Sequence, residues 1–237
     1  MILTAHQPAY LPWLGLFHKI ALSDAYVCFD DVQFERYSFI NRNKIRSGRD
    51  ETLLTVPLLS KNHFDKKIKE MEIDNSRDWR NKHWKSIYLN YQKAPFFNKY
   101  VDFFEELYKK EWHYLIDLTE YSLEWFLAEL GIKVQYARAS EFNFERAKSD
   151  LILDMCKKMN ANFFIFGALG GDYAEKDKFA AAGVKIYFQE YRHPQYRQTG
   201  KDFLPYMSII DLLFNEGDKS LEILMSGNIS QQDLLKI

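Results

Sequence analysis

Residues 133–188 repeat one alternation. Lys133 to Ala137 reads as a strand, Phe144 to Met159 as a helix and Asn162 to Phe166 as an apolar strand. Asp172 to Ala182 then reads as a short helix stopped by Gly183, and Val184 to Phe188 as another strand. A strand reached through a helical crossover returns parallel to its predecessor, because a tight hairpin is the only short route to an antiparallel neighbour. Such crossovers are right-handed, so helices come to lie on the faces of the sheet. The run therefore predicts an α/β fold, Rossmann-like, with a mostly parallel sheet flanked by helices.

The N-terminal segment predicts the same unit. Ile2 to Ala5 has strand character, and Trp13 to Leu22 is helical, with Leu14, Phe17, Ile20 and Ala21 on one stripe. Pro12 sits where a helix start tolerates a missing N–H. Ala25 to Phe29 is the next strand, and the whole has the length of a βαβ crossover. Between the two blocks the alternation lapses. Thr52 to Leu58 and Lys67 to Ile73 read as strands, whereas residues 32–46 mix aromatics, amides and arginines without a period and predict an irregular, partly buried segment. Three helices follow, Arg77 to Tyr91, Pro95 to Lys110 and His113 to Leu130, the last stopped by Gly131. Their aromatic stripes predict packing rather than chemistry. The expectation is a single α/β domain over residues 1–237 with a helical subdomain at about 76–130. Ser208 is placed to cap a helix running to Phe214.

Composition removes several function classes. The net charge of −1, from 32 basic and 33 acidic residues, gives no electrostatic reason to expect a nucleic acid partner. No apolar run is long enough to cross a bilayer, and no leader precedes the first strand, so membrane insertion is not expected and a cytoplasmic location is. The two cysteines, Cys28 and Cys156, lie in apolar surroundings and read as reduced, buried side chains. The 16% aromatic content requires that many rings line a core, a pocket or an interface, and a homo-oligomer is compatible with it.

In an open parallel sheet, ligands bind beyond the carboxyl ends of the strands. That rule selects His6 and Gln7 after the first strand, Asp30 and Asp31 after the second, the Gly167–Asp172 turn, and the segment holding His193. The candidate catalytic groups are His6, Asp30 and His193, because a histidine beside a carboxylate can take a proton from an amine or hydroxyl near neutrality. The candidate substrate contacts are Gln7, Tyr10, Trp13, Asp31, Asn41, Arg42, Arg46, Gly170, Gly171, Asp172 and Tyr173. Arg42 and Arg46 suit phosphate oxygens, and Tyr10 and Trp13 offer rings for stacking. The Gly167–Asp172 turn lacks both the dinucleotide fingerprint and the P-loop lysine, and serves equally as a tight strand–helix connection. There is no metal-ligand or dinucleotide signature, so the cofactor is unknown, although Asp30-Asp31 could offer one carboxylate to Mg²⁺.

Several stretches together resemble the WbqC-like family: His6-Gln7-Pro8-Ala9-Tyr10-Leu11-Pro12-Trp13-Leu14-Gly15, Asp30-Asp31-Val32-Gln33-Phe34, Asn41-Arg42-Asn43-Lys44-Ile45, Gly170-Gly171-Asp172-Tyr173, and residues 204–215. The resemblance implies a place in bacterial O-antigen or other surface-polysaccharide synthesis. The expected function is a transferase that modifies a nucleotide-linked amino sugar by N-acyl or aminoacyl transfer. Two alternatives stand beside it. One is a nucleotidyltransferase of the HIGH type or an ATP-dependent ligase, although the His-x-Gly-His spacing is absent. The other is a protein that binds sugar nucleotides without turnover.

Overall fold

The computed structural model describes residues 1–59, 66–144, 148–172 and 174–237. Its centre is a five-stranded, all-parallel sheet. In chain order the strands are β1 (Ile2–His6), β2 (Ala25–Cys28), β5 (Gln135–Arg138), β6 (Phe163–Phe166) and β7 (Lys185–Phe188). They lie in the order β5-β2-β1-β6-β7. Registers are Thr4 beside Tyr26 on one side of β1 and Thr4 beside Ile165 on the other. The inner strands β1, β2 and β6 are buried along almost their whole length, as strands covered on both faces must be.

Helices fill both faces. Helix α1 (Leu14–Ala21) connects β1 to β2 and packs, through Phe17, on the ring of Phe126 in α4 (Leu115–Glu129). The face that carries Leu3, Ala5, Ala25 and Val27 meets Ile152, Met155 and Cys156 of α5 (Lys148–Lys158) and Phe179 of α6 (Lys176–Ala181). The chain thus winds outward from β1 one way to β5, then returns across the sheet and winds the other way through β6 to β7. The predicted α/β, Rossmann-like sheet is what forms.

The predicted helical insertion is α2 (Trp79–Tyr91), α3 (Phe97–Lys109) and α4. Its aromatic stripe is core: Trp79, Tyr91, Phe97, Tyr100 and Phe104 share one apolar cluster with α1 and with α7 (Ile209–Glu216). Ser208 caps α7 as expected, its hydroxyl accepting from Ile210 N. The chain ends in two short helices, α8 (Ser220–Met225), which lies against α1, and α9 (Gln231–Leu234).

Two segments differ from expectation. The irregular stretch contains a strand, β3 (Arg42–Ser47), paired antiparallel with β4 (Asp50–Thr55) through Gly48-Arg49. Gly48 has φ +62, which a two-residue hairpin demands of its first turn residue when that turn is type II′. Lys67–Ile73 is not a strand. It forms one 3-10 turn at Ile68–Glu70, flanked by single bridges, because the inward residues Ile68, Met71 and Ile73 are not evenly spaced.

Candidate functional site

Counted along the chain, the parallel strands stand in the order 3-2-1-4-5. The direction of winding reverses between β1 and β6, and a crevice opens at the carboxyl ends of strands flanking such a reversal. His6 is the last residue of β1 and Gln7 follows it. Both are half-buried. His6 Nδ1 lies 2.8 Å from Gln7 O, and a carbonyl only accepts, so Nδ1 carries the proton and Nε2 the lone pair. Nε2 has no hydrogen-bond partner among the described residues. Burial, together with the nearby Lys19 charge, pushes the His6 pKa down to about 4, against a smaller opposing effect from Gln7 O. The ring is therefore neutral at pH 7. Trp13 stands edge-on to it at 5.2 Å, and Phe39 follows Trp13 at 5.8 Å, so the three rings form one file.

Lys19, which no sequence pattern singled out, lies under this edge. It is 2% exposed, on a helix whose residues 14–20 are all buried. Its Nζ donates to Ala5 O at 2.9 Å, and burial pushes its pKa down to about 7. Behind it, Gln189 at the end of β7 donates to Gly15 O and reaches His18 Nδ1, each at 2.8 Å. His18 is buried, with its pKa lowered to about 4 by that burial. It does not join His6 as a second histidine at the crevice.

The other sequence candidates divide by location. Asn41 and Arg42 line an open pocket of about 200 Å³ with Phe34, Tyr37 and Leu58. Arg42 donates to Ser38 O and Tyr37 O, and its guanidinium faces the Tyr37 ring at 5.2 Å. Asp30 faces a separate groove of about 580 Å³ beside Arg138 and Lys69. Its two carboxylate oxygens accept from Ser140 N at 2.9 Å and Ser140 Oγ at 2.5 Å. Asp31 pairs with Lys67 at 2.7 Å and Lys69 at 2.5 Å. Burial would raise its pKa, but the two lysines outweigh that and hold it below the usual range. With both carboxylates engaged, the Asp30-Asp31 pair does not fit a Mg²⁺ site. No group of three or more His, Cys, Asp or Glu among the described residues could hold a metal.

Tyr10 and Arg46 are inside the protein. Tyr10 is 0% exposed, its hydroxyl between His83 Nδ1 at 2.8 Å and Tyr108 Oη at 2.5 Å, so no ring face is open for stacking. Arg46 is 3% exposed and ties Gln198 Oε1 and Asp202 O at 2.8 and 2.6 Å. It holds the 198–202 loop. His193 donates from Nδ1 to Pro194 O and accepts at Nε2 from Tyr206 N, which leaves neither nitrogen free. In the glycine turn, a Cβ at Gly170 would stand 2.5 Å from Phe166 Cβ, so glycine there is a packing requirement. Gly171 and Asp172 are exposed, and a Cβ at Gly171 would meet nothing. Tyr173 lies outside the described residues.

His6, Gln7 and Trp13 thus stand at and just beyond the carboxyl end of β1, next to the carbonyl that the buried Lys19 amine holds, and Asn41 and Arg42 line a separate pocket. Among known proteins, the WbqC-like protein family matches residues 7–223. The uncharacterized protein Rv1507c of Mycobacterium tuberculosis is 29% identical over 220 residues, covering 92% of this chain and 95% of its own. No solved structure matches the chain.

Proposed function

The chain belongs to the WbqC-like protein family, and on that premise we propose that it transfers an acyl or aminoacyl group to the amine of a nucleotide-linked sugar in surface-polysaccharide synthesis. The observation that carries this reading is the site at the β1–β6 reversal. A neutral histidine presents a free Nε2, with Gln7 and Trp13 beside it, at the edge where parallel sheets bind small phosphorylated ligands. Gln7 offers both a donor and an acceptor for sugar hydroxyls, and the Trp13 ring offers a face for a sugar or base.

The chemistry is an acyl substitution. The sugar nitrogen attacks the acyl carbonyl carbon, a C–N bond forms, and the bond from that carbon to the donor's leaving group breaks. His6 Nε2 accepts the hydrogen bond from the attacking amine and passes its proton to the departing group. A ring with a pKa of about 4 is a weak proton sink, so its part is to orient the amine and relay the proton.

The test is turnover of UDP- and dTDP-linked amino sugars with acyl and aminoacyl donors, read as a mass gain on the sugar. His6→Ala is expected to lower kcat/KM roughly 100-fold, a typical loss for one proton-transfer group. Thermal shifts with nucleoside triphosphates and release of pyrophosphate would replace this reading with nucleotidyl transfer. Binding of sugar nucleotides without turnover by any donor would make the protein a carrier.

A further inference from the structure

The β1 carbonyls alternate in direction. Ile2 O and His6 O accept from Asp24 N and Phe29 N on the β2 side. The odd-numbered carbonyls therefore face β6. Pairing between β1 and β6 ends at Thr4 and Ile165, so Ala5 O lies past the last paired residues of the two strands. That is the carbonyl Lys19 reaches. Side chains of a helix lean toward its N-terminus, so the Lys19 stem runs from α1 toward the carboxyl edge of the sheet.

An ammonium has three N–H groups, and Lys19 places one of them. No Asp or Glu oxygen among the described residues lies within salt-bridge distance of Lys19, and His6, whose pKa the Lys19 charge helps to lower, is neutral. An unpaired charge this deeply buried costs several kcal/mol. Without a counter-charge the amine gives up its proton near pH 7, and an anion at this edge would hold it charged.

We propose that Lys19 is the anchor for the diphosphate of the substrate, seated at the carboxyl ends of β1 and β6 with its oxygens against Lys19 Nζ. This rests on the sugar-nucleotide reading above and names the group that the site holds. The diphosphate supplies the missing counter-charge and accepts the two remaining N–H groups. With the diphosphate held there, the sugar amine extends past His6 Nε2.

The test is thermal shift with inorganic pyrophosphate on the wild type, Lys19→Met and Lys19→Gln. Pyrophosphate raises the wild-type Tm. Lys19→Met, relieved of a buried charge, melts at or above the wild-type temperature without ligand, yet binds pyrophosphate at least about tenfold more weakly. Lys19→Gln keeps a donor for Ala5 O and shows the same weakening, which covers the case in which the methionine variant does not fold. A lowered Tm with an undiminished pyrophosphate shift in both variants would make Lys19 a prop for the Ala5 carbonyl and overturn the proposal. A Lys19-dependent shift with acetate but none with pyrophosphate would overturn it in favour of a carboxylate. The same assay separates the two readings. If pyrophosphate depends on Lys19 while UDP- and dTDP-amino sugars give no shift, the anchor stands and the sugar-nucleotide reading fails. If those sugars shift the wild type and Lys19→Gln equally, the anchor fails and the reading stands.

Discussion

Asp211 shows what single side chains do in this protein. It is 0% exposed, and its carboxylate accepts from Tyr91 Oη at 2.8 Å, Tyr196 Oη at 3.0 Å and Gln198 Nε2 at 2.9 Å. Burial raises its pKa, while those donors and the Arg46 charge oppose the rise. Removing the carboxylate strands several buried donors at once, so Asp211→Ala is expected to cost about 3–5 kcal/mol in urea unfolding. Tyr91→Phe removes one of those donors and also leaves Arg46 N, which donates to Tyr91 Oη at 2.9 Å, without its acceptor, so it should cost about 1–3 kcal/mol. A second pair of variants separates packing from ligand approach in the glycine turn. Gly170→Ala drives a methyl into Phe166 and should lose about 1–3 kcal/mol. Gly171→Ala meets nothing and should leave the melting temperature unchanged. If Gly171→Ala nonetheless abolishes sugar-nucleotide binding, that glycine admits a ligand; if it does not, the turn is only a connector.

At the scale of elements, the sheet was legible because its inner strands β1, β2 and β6 are short apolar runs separated by helical spacing, as strands of a parallel sheet covered on both faces must be. The β3–β4 hairpin was not legible because two inward positions of β3 are polar. Asn43 is buried with its amide on Leu11 O, and Arg46 is buried on the 198–202 loop. Only tertiary partners make those residues tolerable inside, and no local pattern announces partners from so far along the chain. The site divides in the same way. The parallel-sheet rule led to His6 and Gln7 at the carboxyl edge. It could not lead to Lys19, since a lysine on an amphipathic helix ordinarily faces water. Helix α1 has no wet side because α4, α8 and the Tyr191 segment cover it. Tyr10 illustrates the converse: its aromatic ring suggested a ligand platform, and a hydroxyl network with His83 and Tyr108 claims it for the core. The cap of α7 was readable, and its worth can be measured. Ser208→Ala should lower stability by about 1 kcal/mol without altering ligand binding.

For the whole molecule, these buried groups set an unusual dependence of stability on pH. His6, His18 and His83 each have a folded pKa of about 4, burial being the main cause, against 6.5 for the free side chain. Above pH 6.5 both states are neutral there and the histidines contribute nothing. As pH falls from 6.5 to 4 the unfolded chain takes up protons that the folded chain refuses, so stability falls through that window and the loss is complete below it. Each such proton is worth about 1.4 kcal/mol per pH unit. Lys19 acts at the other end. Its folded pKa of about 7 lies below the unfolded 10.5, so between those values the unfolded chain again holds the extra proton and stability rises with pH. The rise stops near pH 9, where the thiols of Cys28 and Cys156, pushed up to about 12 by burial, keep protons that the unfolded chain sheds above the ordinary thiol value of 9.0, and the buried tyrosines Tyr10, Tyr26 and Tyr91, whose pKa values burial also raises, add to the fall above 10.0. Chemical denaturation across the pH scale should therefore place maximum stability near pH ~9, alkaline of the usual range. Lys19→Met should flatten the alkaline limb and soften the acid limb only through His6, whose pKa the Lys19 charge helps to lower. His83→Gln should remove about one of the protons taken up on unfolding near pH ~5. A stability maximum between about pH 5 and 7 in the wild type, or an alkaline limb unchanged by Lys19→Met, would mean that water or a carboxylate reaches Lys19 in solution.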